Sequence, residues 1–474
     1  MLIFLSGEGG CGKTYLVNII YNMLLMNGLG LNELATTGYA ATLIDGQTIH
    51  SYFTINHVLK CSLSYDSSNW HSIKQTNVII IDECSLMSDE LLNLIDEILN
   101  RINYDSNTNI SIIPSKFGNK SIILVGDLLQ LSAVSTFYKP ITQLYKSLLF
   151  KDNFLPFILS TNMRAINEKL YCAFLSKCRI GDYDFPYIQS RICGEGHPFN
   201  NECENMFDSV TICSLHKNRK ELLMNTLETY FPDQTKVLII SVDTYENGTI
   251  VSEYLTKKIT ESSGSFEETL VVTKGCKIIL IKNVNFDFKI TNGIEGEYID
   301  HSDFVLLMKT PDGTIITIPK MRQKIEKLEN HNTHVYRTQF PVFLGYEVTV
   351  HRVQGATVKK THLYLDHSMF CEGQAYVALS RVKTADSVHI LKFDISAFKT
   401  NMEIVDLLDY AKKNKTMKNY TYFNNETSTT SYVESNNNNN NKHANSDDIN
   451  KEVIIFIKEV KNYYLIFYFI NLKK

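Results

Sequence analysis

Short apolar runs alternate with stretches of helical spacing along the first third of the chain. Residues 1–6 form an apolar run before a glycine-rich turn, and residues 15–26 then show the apolar spacing of a helix. The same order recurs where the β-branched run 78–81 is followed by acidic residues and by the helical pattern of 90–102. A third strand is predicted at 121–125, just before Gly-Asp. Strands alternating with helices predict an α/β fold whose parallel sheet is covered on both faces.

The pattern changes twice in the rest of the chain. A second α/β region begins near residue 157 and resumes near residue 345. Between 273 and 340 the chain shows short strands with Gly turns, such as 277–282 and 314–318, which predict a small inserted β domain. The predicted division is a first α/β domain, a second α/β domain in two parts around the insert, and a tail: 1–155, 156–272, 273–342, 343–400 and 401–474.

The last part of the chain has a different composition. From about residue 417 it is rich in Asn, Ser and Thr, with six consecutive Asn at 436–441, which predicts a disordered linker. The apolar stretch 453–472 contains Lys458, Glu459 and Lys461 near its middle, so it is not expected to span a membrane. A short docking helix or strand and a segment under little constraint remain alternatives for it.

Overall composition limits the partners without identifying them. A chain of 474 residues exceeds one hydrophobic core, and 44% hydrophobic with 21% charged residues is typical of folded soluble proteins. The net charge of −4 means that any nucleic-acid site is a local groove rather than a basic surface. Ten cysteines without a paired framework favour free thiols, and Cys193, His197, Cys203 and Cys213 lack the spacing of zinc modules. No signal peptide is expected, because a phosphate-loop pattern begins within ten residues of the start.

That pattern is GEGGCGKT at residues 7–14, between a predicted strand and a predicted helix. Glycines let backbone N–H groups point at phosphate oxygens, and the helix N-terminus adds a favourable dipole. Lys13 is expected to reach the β- and γ-phosphates of ATP, and the Thr14 hydroxyl is expected to ligate magnesium. The remaining candidates for the ATP site are the glycines of the loop: Gly7, Gly9, Gly10 and Gly12. A glycine-rich turn without a ligand is the alternative, which the strand–loop–helix context disfavours.

Carboxylates and an amide follow the next two predicted strands. Asp82 is the candidate magnesium ligand, and Glu83 is the candidate group that orients and polarises the attacking water. Paired acids after a strand are also common as a helix cap, but the phosphate loop favours catalysis. Gln130, in GDLLQL, is a candidate γ-phosphate sensor whose alternative is an amide in a surface turn.

The ordered motifs resemble one family, the petite-integration-frequency (Pif) type of superfamily 1 DNA helicases, which are 5′-to-3′ translocases. In the first half the matching strings after the phosphate loop are ATTGYAA, TIHSYF, IIDECSLM and FGNKSIILVGDLLQLSAV. In the second half they are NMR, KIILIKN, NGIEGE, VTVHRVQGAT and GQAYVALSRV. The resemblance covers about residues 2–393, and this many motifs in order is far more specific than any one of them.

The resemblance implies two RecA-like domains with ATP in the cleft between them and a small inserted β barrel. It further implies that Arg164 and Arg381 are arginine fingers supplied by the second domain. A guanidinium stabilises charge on the transferring phosphoryl group, so ATP would favour domain closure and hydrolysis would release it. The activity implied is a DNA helicase of replication, repair or recombination.

The resemblance also supplies candidates for the DNA track. Thr37, His50, Thr349 and His351 lie in strings that resemble the family's DNA-facing loops. Hydroxyls bond phosphate oxygens, and imidazoles bond or stack, which suits binding of single strands without sequence preference. For both histidines, a structural role is the alternative. The expected partners are single-stranded DNA and tailed duplex DNA, in the nucleus or another DNA-containing compartment.

Two departures from the family pattern stand out. A family glutamine that reads adenine lies upstream of the phosphate loop, where this sequence has almost nothing: another element covers the base, the true start lies upstream, or nucleotide choice is loose. Ser132 and Ala133 replace a pair of prolines, which removes rigidity from a turn towards the DNA. Alternative functions are a helicase module of a viral or transposon replication protein, and a nucleic-acid-binding module that has lost unwinding.

Overall fold

The computed structural model describes residues 1–37, 40–41, 44, 46–56, 59–103, 115–133, 141–160, 162–164, 167–183, 186, 209–214, 223–224, 226–228, 230–252, 256, 266–282, 284–285, 290, 294–325 and 335–421. They form two parallel sheets, three antiparallel sheets and the helices that cover them. The predicted Asn-rich linker, the apolar stretch 453–472 and three of the four residues weighed as zinc ligands lie outside the described residues. Within them, no helix has the length and apolar character needed to cross a membrane.

The first parallel sheet carries the glycine-rich turn and the paired acids. Its strands are β1 (Leu2–Gly7), β2 (Leu31–Ala35), β3 (Gln47–Thr48), β4 (Val78–Asp82), β5 (Ser121–Gly126) and β6 (Leu155–Leu159). They lie in the order β3-β2-β4-β5-β1-β6, and every neighbouring pair is parallel. The ends of β1, β4 and β5 that carry the predicted motifs therefore meet at one edge of the sheet.

Helices pack on both faces of this sheet, as the continuous apolar runs predicted. The helices of the described residues are α1 (Lys13–Met26), α2 (Ile49–Tyr52), α3 (Ser68–Gln75), α4 (Asp89–Asn103), α5 (Leu148–Asn153), α6 (Lys169–Arg179), α7 (Gln374–Leu379) and α8 (Met402–Asn414), of which α6 and α7 pack on the second sheet. Alternate residues of β4 enter different cores: Ile79 and Ile81 pack with α4, whereas Val78 and Ile80 pack with α1. The Ser88 hydroxyl begins α4 by accepting from the Leu91 N–H at 3.3 Å.

Strand β6 extends the first sheet beyond residue 155, where the sequence predicted the first domain to end. It pairs in parallel with β1 at the sheet edge. An apolar run carries no mark of the sheet that it joins, so the sequence near residue 157 predicts a strand but does not show that this strand belongs to the first sheet. The chain crosses to the second domain only after β6.

The second parallel sheet is assembled from segments that lie far apart in the sequence. Its strands are β7 (Ser209–Cys213), β18 (Glu347–Thr349), β19 (Lys360–Leu365) and β20 (Val388–Phe393). They lie in the order β18-β7-β19-β20, all parallel. Helices α6 and α7 contribute Tyr171, Phe174 and Val377 to the core of this sheet. The interruption between β7 and β18 agrees with the predicted insertion.

The inserted region is antiparallel throughout its described part. Its strands are β8 (Val237–Ile240), β9 (Val242–Tyr245), β10 (Thr269–Val272), β11 (Lys277–Leu280), β12 (Glu295–His301), β13 (Val305–Lys309), β14 (Ile315–Pro319), β15 (Met321–Ile325), β16 (Val335–Gln339) and β17 (Val342–Leu344). Strands β11 and β14 match the predicted segments 277–282 and 314–318. The region begins earlier than the predicted residue 273, because β8 pairs with β10 and β9 pairs with β16.

The first part of the predicted tail is a packed helix. Asn401 caps α8 through its side-chain oxygen, which accepts from the Ile404 N–H at 3.1 Å. Ile404, Leu407 and Leu408 are buried in the core of the first sheet. Helix α8 thus returns the chain to the first domain after the second sheet is complete.

Candidate nucleotide cleft

The glycine-rich loop between β1 and α1 forms the floor of a cleft between the domains. Gly10 and Gly12 have φ values of 89° and 83°, a backbone region that favours glycine. A Cβ on Gly10 would lie 2.5 Å from the Cβ of Arg164. The loop therefore needs glycine both for its own conformation and for the close approach of the chain that leaves β6.

The segment that follows β6 is hydrogen-bonded to the glycine-rich loop through its backbone. The N–H groups of Met163 and Arg164 donate to the Gly10 carbonyl at 2.8 and 3.1 Å. The Asn162 side-chain amide donates to the Gly9 carbonyl at 3.0 Å. Arg164 was expected to come from the second domain, but its backbone is bonded to the first-domain loop. Its guanidinium reaches across the cleft, where it donates to the Ser380 carbonyl at 2.6 Å.

Lys13 and Thr14 begin α1 and line the cleft. The Lys13 ammonium donates to the carbonyl oxygens of Gly7 and Glu8 at 2.8 and 2.9 Å. These bonds fold the side chain back onto the loop, and Lys13 is one of the residues that line the cleft. Gly7 lies at the end of β1, where a Cβ would approach the Cys11 sulfur to 2.5 Å.

Asp82 and Glu83 stand at the end of β4, facing the same cleft. The Glu83 N–H donates to the Asp82 carboxylate at 2.8 Å. Burial, and then the neighbouring Glu83 carboxylate, raise the pKa of Asp82. Glu83 itself has a left-handed backbone, with φ 52° and ψ 42°, which is uncommon for a residue with a side chain. Two acids held this closely favour a cation beside them.

Gln130 and Arg381 complete the two walls. The Gln130 amide is buried, donates to Asp127 at 3.3 Å and lies near Gly9. Arg381 follows α7 in the second domain, and its side chain is 1% exposed. Its guanidinium donates to the Val377 carbonyl at 2.8 Å. Burial, and then the nearby Arg164, lower the pKa of Arg381 to about 10, so it stays charged at neutral pH.

One cleft of about 480 Å³ brings together these predicted groups from distant parts of the chain. The predicted residues that line it are Gly9, Gly10, Gly12, Lys13, Thr14, Asp82, Glu83, Gln130, Arg164 and Arg381. The arrangement places cationic and acidic groups from one domain opposite a buried guanidinium from the other. Such a site can bind a phosphate chain and stabilise charge that develops on it.

A second cross-domain contact adjoins the cleft at Gly9; we call it the interdomain latch, and it is formed by Glu8, Asp127, Ser176, Arg179 and Tyr376. Arg179 donates to both oxygens of the Asp127 carboxylate, with a shortest distance of 2.7 Å. The Gly9 N–H donates to the Tyr376 hydroxyl at 3.0 Å, and the Ser176 hydroxyl donates to Glu8 at 2.9 Å. Sequence reasoning missed these partners; the Gly-Asp of GDLLQL marked Asp127, but nothing marked Arg179.

Sequence reasoning also left Gln354 without a role, although it lies within VTVHRVQGAT. Its side-chain amide donates to the Glu83 carboxylate at 2.9 Å, and to the Ser85 hydroxyl at 3.4 Å. Gln354 is 4% exposed and belongs to the second domain. The predicted catalytic carboxylate is therefore contacted directly from the opposite wall.

The four predicted DNA contacts differ in accessibility. Thr37 and His50 are partly buried, and the Thr37 hydroxyl accepts from the Ala40 N–H at 3.2 Å. His351 stacks on Phe370 with 6.3 Å between ring centroids, and its Nε2 has no hydrogen-bond partner among the described residues. Burial lowers the pKa of both histidines, which favours neutral rings at pH 7. Thr349 is 4% exposed, so its hydroxyl does not reach an open surface in this conformation.

Comparisons with known proteins point in one direction. The family described as PIF1-like helicase matches residues 1–173. The ATP-dependent DNA helicase Pif1 of Campylobacter jejuni is 27% identical over 454 residues, covering 87% of this chain and 94% of that protein. Its namesake from Bdellovibrio bacteriovorus is 26% identical over 399 residues, covering 82% and 84% respectively.

Solved structures give the same result for the fold. The Pif1 helicase of Candida albicans superimposes with a TM-score of 0.69 at 22% identity, over 86% of this chain and 95% of that one. A Bacteroides Pif1 helicase in complex with ADP-AlF3 and ssDNA gives 0.66 at 21% identity, over 87% and 94%. The similarity thus extends across both parallel sheets and the antiparallel region between them.

Proposed function

This chain belongs to the PIF1-like helicase family and is an ATP-dependent DNA helicase, and we propose that it moves 5′-to-3′ along single-stranded DNA and unwinds the duplex ahead. One observation carries the proposal. The cleft holds Lys13 and Glu83 from the first domain within one cavity with Arg381 from the second. Because hydrolysis needs groups from both walls, its rate depends on domain closure. A translocating motor requires this coupling between hydrolysis and domain movement.

The phosphate-binding half of the site belongs to the first domain. Lys13 exchanges its bonds to the Gly7 and Glu8 carbonyls for the β- and γ-phosphate oxygens of ATP. The N–H groups at the start of α1 add donors and the positive end of the helix dipole. Gln130 lies against Gly9, at the γ-phosphate end of the loop, and reports the state of that phosphate to Asp127.

Hydrolysis uses groups from both walls. Glu83 orients the attacking water and accepts its proton as the water oxygen bonds to the γ-phosphorus, while the bond from that phosphorus to the bridging oxygen breaks and ADP leaves. Arg381 from the second domain and Arg164 from the chain behind the loop stabilise charge on the transferring phosphoryl group. Because Arg164 already bonds the Ser380 carbonyl, beside Arg381, the two guanidinium groups approach the phosphate together.

The donor set fits a magnesium ion. Thr14 and Asp82 both line the cleft and offer a hydroxyl and a carboxylate oxygen, which are hard ligands of the kind magnesium prefers. Magnesium commonly keeps several waters and phosphate oxygens as ligands, so one or two protein side chains suffice to hold it beside ATP. Magnesium bound there would neutralise phosphate charge and keep the Asp82 carboxylate ionised.

Single-stranded DNA is the proposed track. The His351 ring, whose Nε2 has no partner in the described part of the chain, offers a bond or a stacking face, and Thr37 and His50 offer a second contact segment on the first domain. Structures of similar proteins include Bacteroides Pif1 bound to ssDNA and Pif1 helicases at forked dsDNA. We place the activity in replication, repair or recombination, in a DNA-containing compartment. We equate the antiparallel region with the small inserted β barrel that the family resemblance implies.

The experiment measures ATP hydrolysis with and without single-stranded DNA, then unwinding of duplexes that carry a 5′ or a 3′ tail. DNA-stimulated hydrolysis and unwinding of the 5′-tailed duplex are expected. Lys412→Ala, an exposed change on α8, serves as the matched control for active-site variants. Unwinding of the 3′-tailed duplex alone contradicts the polarity, and hydrolysis that ignores DNA contradicts the motor.

A further inference from the structure

Glu83 is held from two sides by residues that adjoin the two proposed DNA segments. On the first domain, the Thr36 hydroxyl donates to the Glu83 carbonyl oxygen at 2.9 Å. On the second domain, the Gln354 amide donates to the Glu83 carboxylate at 2.9 Å. Thr36 directly precedes Thr37, and Gln354 lies three residues after His351. We call Thr36 and Gln354 the Glu83 clamp.

The backbone of Glu83 makes it depend on such support. A residue with a side chain rarely adopts φ 52° and ψ 42°, and it does so only where surrounding contacts hold it. The Glu83 carbonyl accepts from the Thr36 hydroxyl at 2.9 Å and from the Leu86 N–H at 3.2 Å, so its backbone is held from two sides. The direction of the Glu83 side chain is then decided by what its carboxylate meets across the cleft.

Across the cleft it meets the end of a short 3₁₀ turn. This turn, Val350–Val353, carries His351 and leads directly into Gln354. The Gln354 amide is buried, and its Oε1 has no hydrogen-bond partner among the described residues. Within the described residues the amide is bonded only through its Nε2, to Glu83 and Ser85, so a shift of the turn that carries the Gln354 backbone changes its contact with Glu83.

We infer that Gln354 is a positioning residue that ties the orientation of Glu83 to the occupancy of the DNA site at His351. DNA bound against the turn fixes the position of the Gln354 amide, and the amide orients the Glu83 carboxylate that activates water. Thr36 provides the corresponding link from the first-domain segment. The inference rests on the proposed function and adds the route by which DNA stimulates hydrolysis.

The test uses Gln354→Met, which keeps the length and volume of the side chain and removes its hydrogen bond. DNA-stimulated kcat should fall about tenfold or more, as expected for loss of one hydrogen bond to a charged group. KM for ATP and Kd for single-stranded DNA should each stay within about twofold, because neither of them depends on this bond. Gln323→Ala, which removes a partly buried amide in the inserted region, is the matched control.

Two further variants separate positioning from general damage. Thr36→Val should lower the stimulation ratio in the same direction. In a Glu83→Gln background, adding Gln354→Met should change residual single-turnover hydrolysis by less than about twofold, because the two residues act as one unit. An additional loss of tenfold there would overturn the route through Glu83.

The outcomes distinguish the inference from the proposed function. If the unaltered protein shows no DNA stimulation, the proposed function fails and the inference falls with it. If the unaltered protein is stimulated and Gln354→Met is stimulated equally, only the inference is overturned. Lost stimulation together with weaker DNA binding also overturns it, because Gln354 would then act on the DNA rather than on Glu83.

Discussion

The nucleotide cleft and the interdomain latch join the same two domains, but they balance their charges in opposite ways. In the latch, the Arg179 guanidinium meets both oxygens of Asp127, and both side chains are buried. Burial alone would raise the pKa of Asp127, yet Arg179 holds it below its ordinary value. The buried Arg179–Asp127 pair at the centre of the latch is therefore balanced by residues of this chain alone.

The cleft is not balanced in this way. Arg164 lies close enough to Arg381 to help lower its pKa, and Glu83 helps to raise that of Asp82. Like charges kept together require partners of opposite charge to lower their energy. The latch therefore contributes to the free energy of unfolding. The cleft instead keeps like charges close together, which favours binding of an anionic phosphate chain and a cation. Substitutions in the cleft should therefore change turnover, and substitutions in the latch should change stability.

The largest effect is expected from Lys13→Ala. Loss of the ammonium removes a charge contact to the transferring phosphate, so hydrolysis should fall to background while the fold persists. Steady-state ATPase and a thermal melt, with Lys412→Ala as control, check both parts. A normal turnover rate would show that Lys13 is not at the phosphate site.

Arg381→Lys should come next, because it keeps a positive charge but loses the planar fork. Loss of an arginine finger lowers turnover by about 10³ to 10⁵ in other phosphate-loop enzymes, and lysine should recover little of that loss. Single-turnover hydrolysis measures the effect. A large fall in the melting temperature of Arg381→Lys would mean that Arg381 stabilises the fold rather than the reaction, since its guanidinium also bonds Val377.

Asp127→Asn should lower stability rather than turnover, because it leaves the buried Arg179 charge without its partner. Breaking a buried ion pair from one side costs about 3 to 5 kcal/mol, so the free energy of unfolding should fall by that amount. Urea unfolding is the measurement. The double change Asp127→Leu with Arg179→Met should lose less, since neither charge then remains. Unchanged stability in the single variant would contradict the assignment of the latch.

The smallest effect is expected from Ser176→Ala, which removes one hydrogen bond from Glu8 at the rim of the latch. The unfolding free energy should fall by about 1 kcal/mol, the usual value for one such bond. Turnover with saturating ATP should remain within about twofold of the unaltered protein, because the phosphate cradle keeps its glycines. A large loss of turnover in Ser176→Ala would contradict the proposal that substitutions in the latch change stability whereas those in the cleft change turnover.

Much of the first domain was predictable because its signals are local. The glycine-rich loop and the runs before Asp82 and Gln130 each combine strand, turn and side chain within a few residues. The structure places β1, β4 and β5 within two residues of the predicted segments. Helix α8 was missed, because its apolar face precedes a long polar stretch that dominated the composition of the predicted tail.

The site divides in the same manner. The motifs contained the groups that line the cleft, but the bonds between walls join residues far apart in the chain. Arg179 lies 52 residues from Asp127, and Gln354 lies 271 residues from Glu83. No periodicity relates such positions, so pattern reasoning had no means of pairing them.

By itself, the sequence determined the phosphate loop, the acidic strand ends and the order of motifs, because backbone period and glycine chemistry act over short stretches of chain. Only the tertiary structure decided that β6 belongs to the first sheet, that Arg164 is anchored to the loop, that Thr349 is buried and that Gln354 meets Glu83. These depend on how two separately encoded domains face each other, and that relation is created by packing rather than by any local segment.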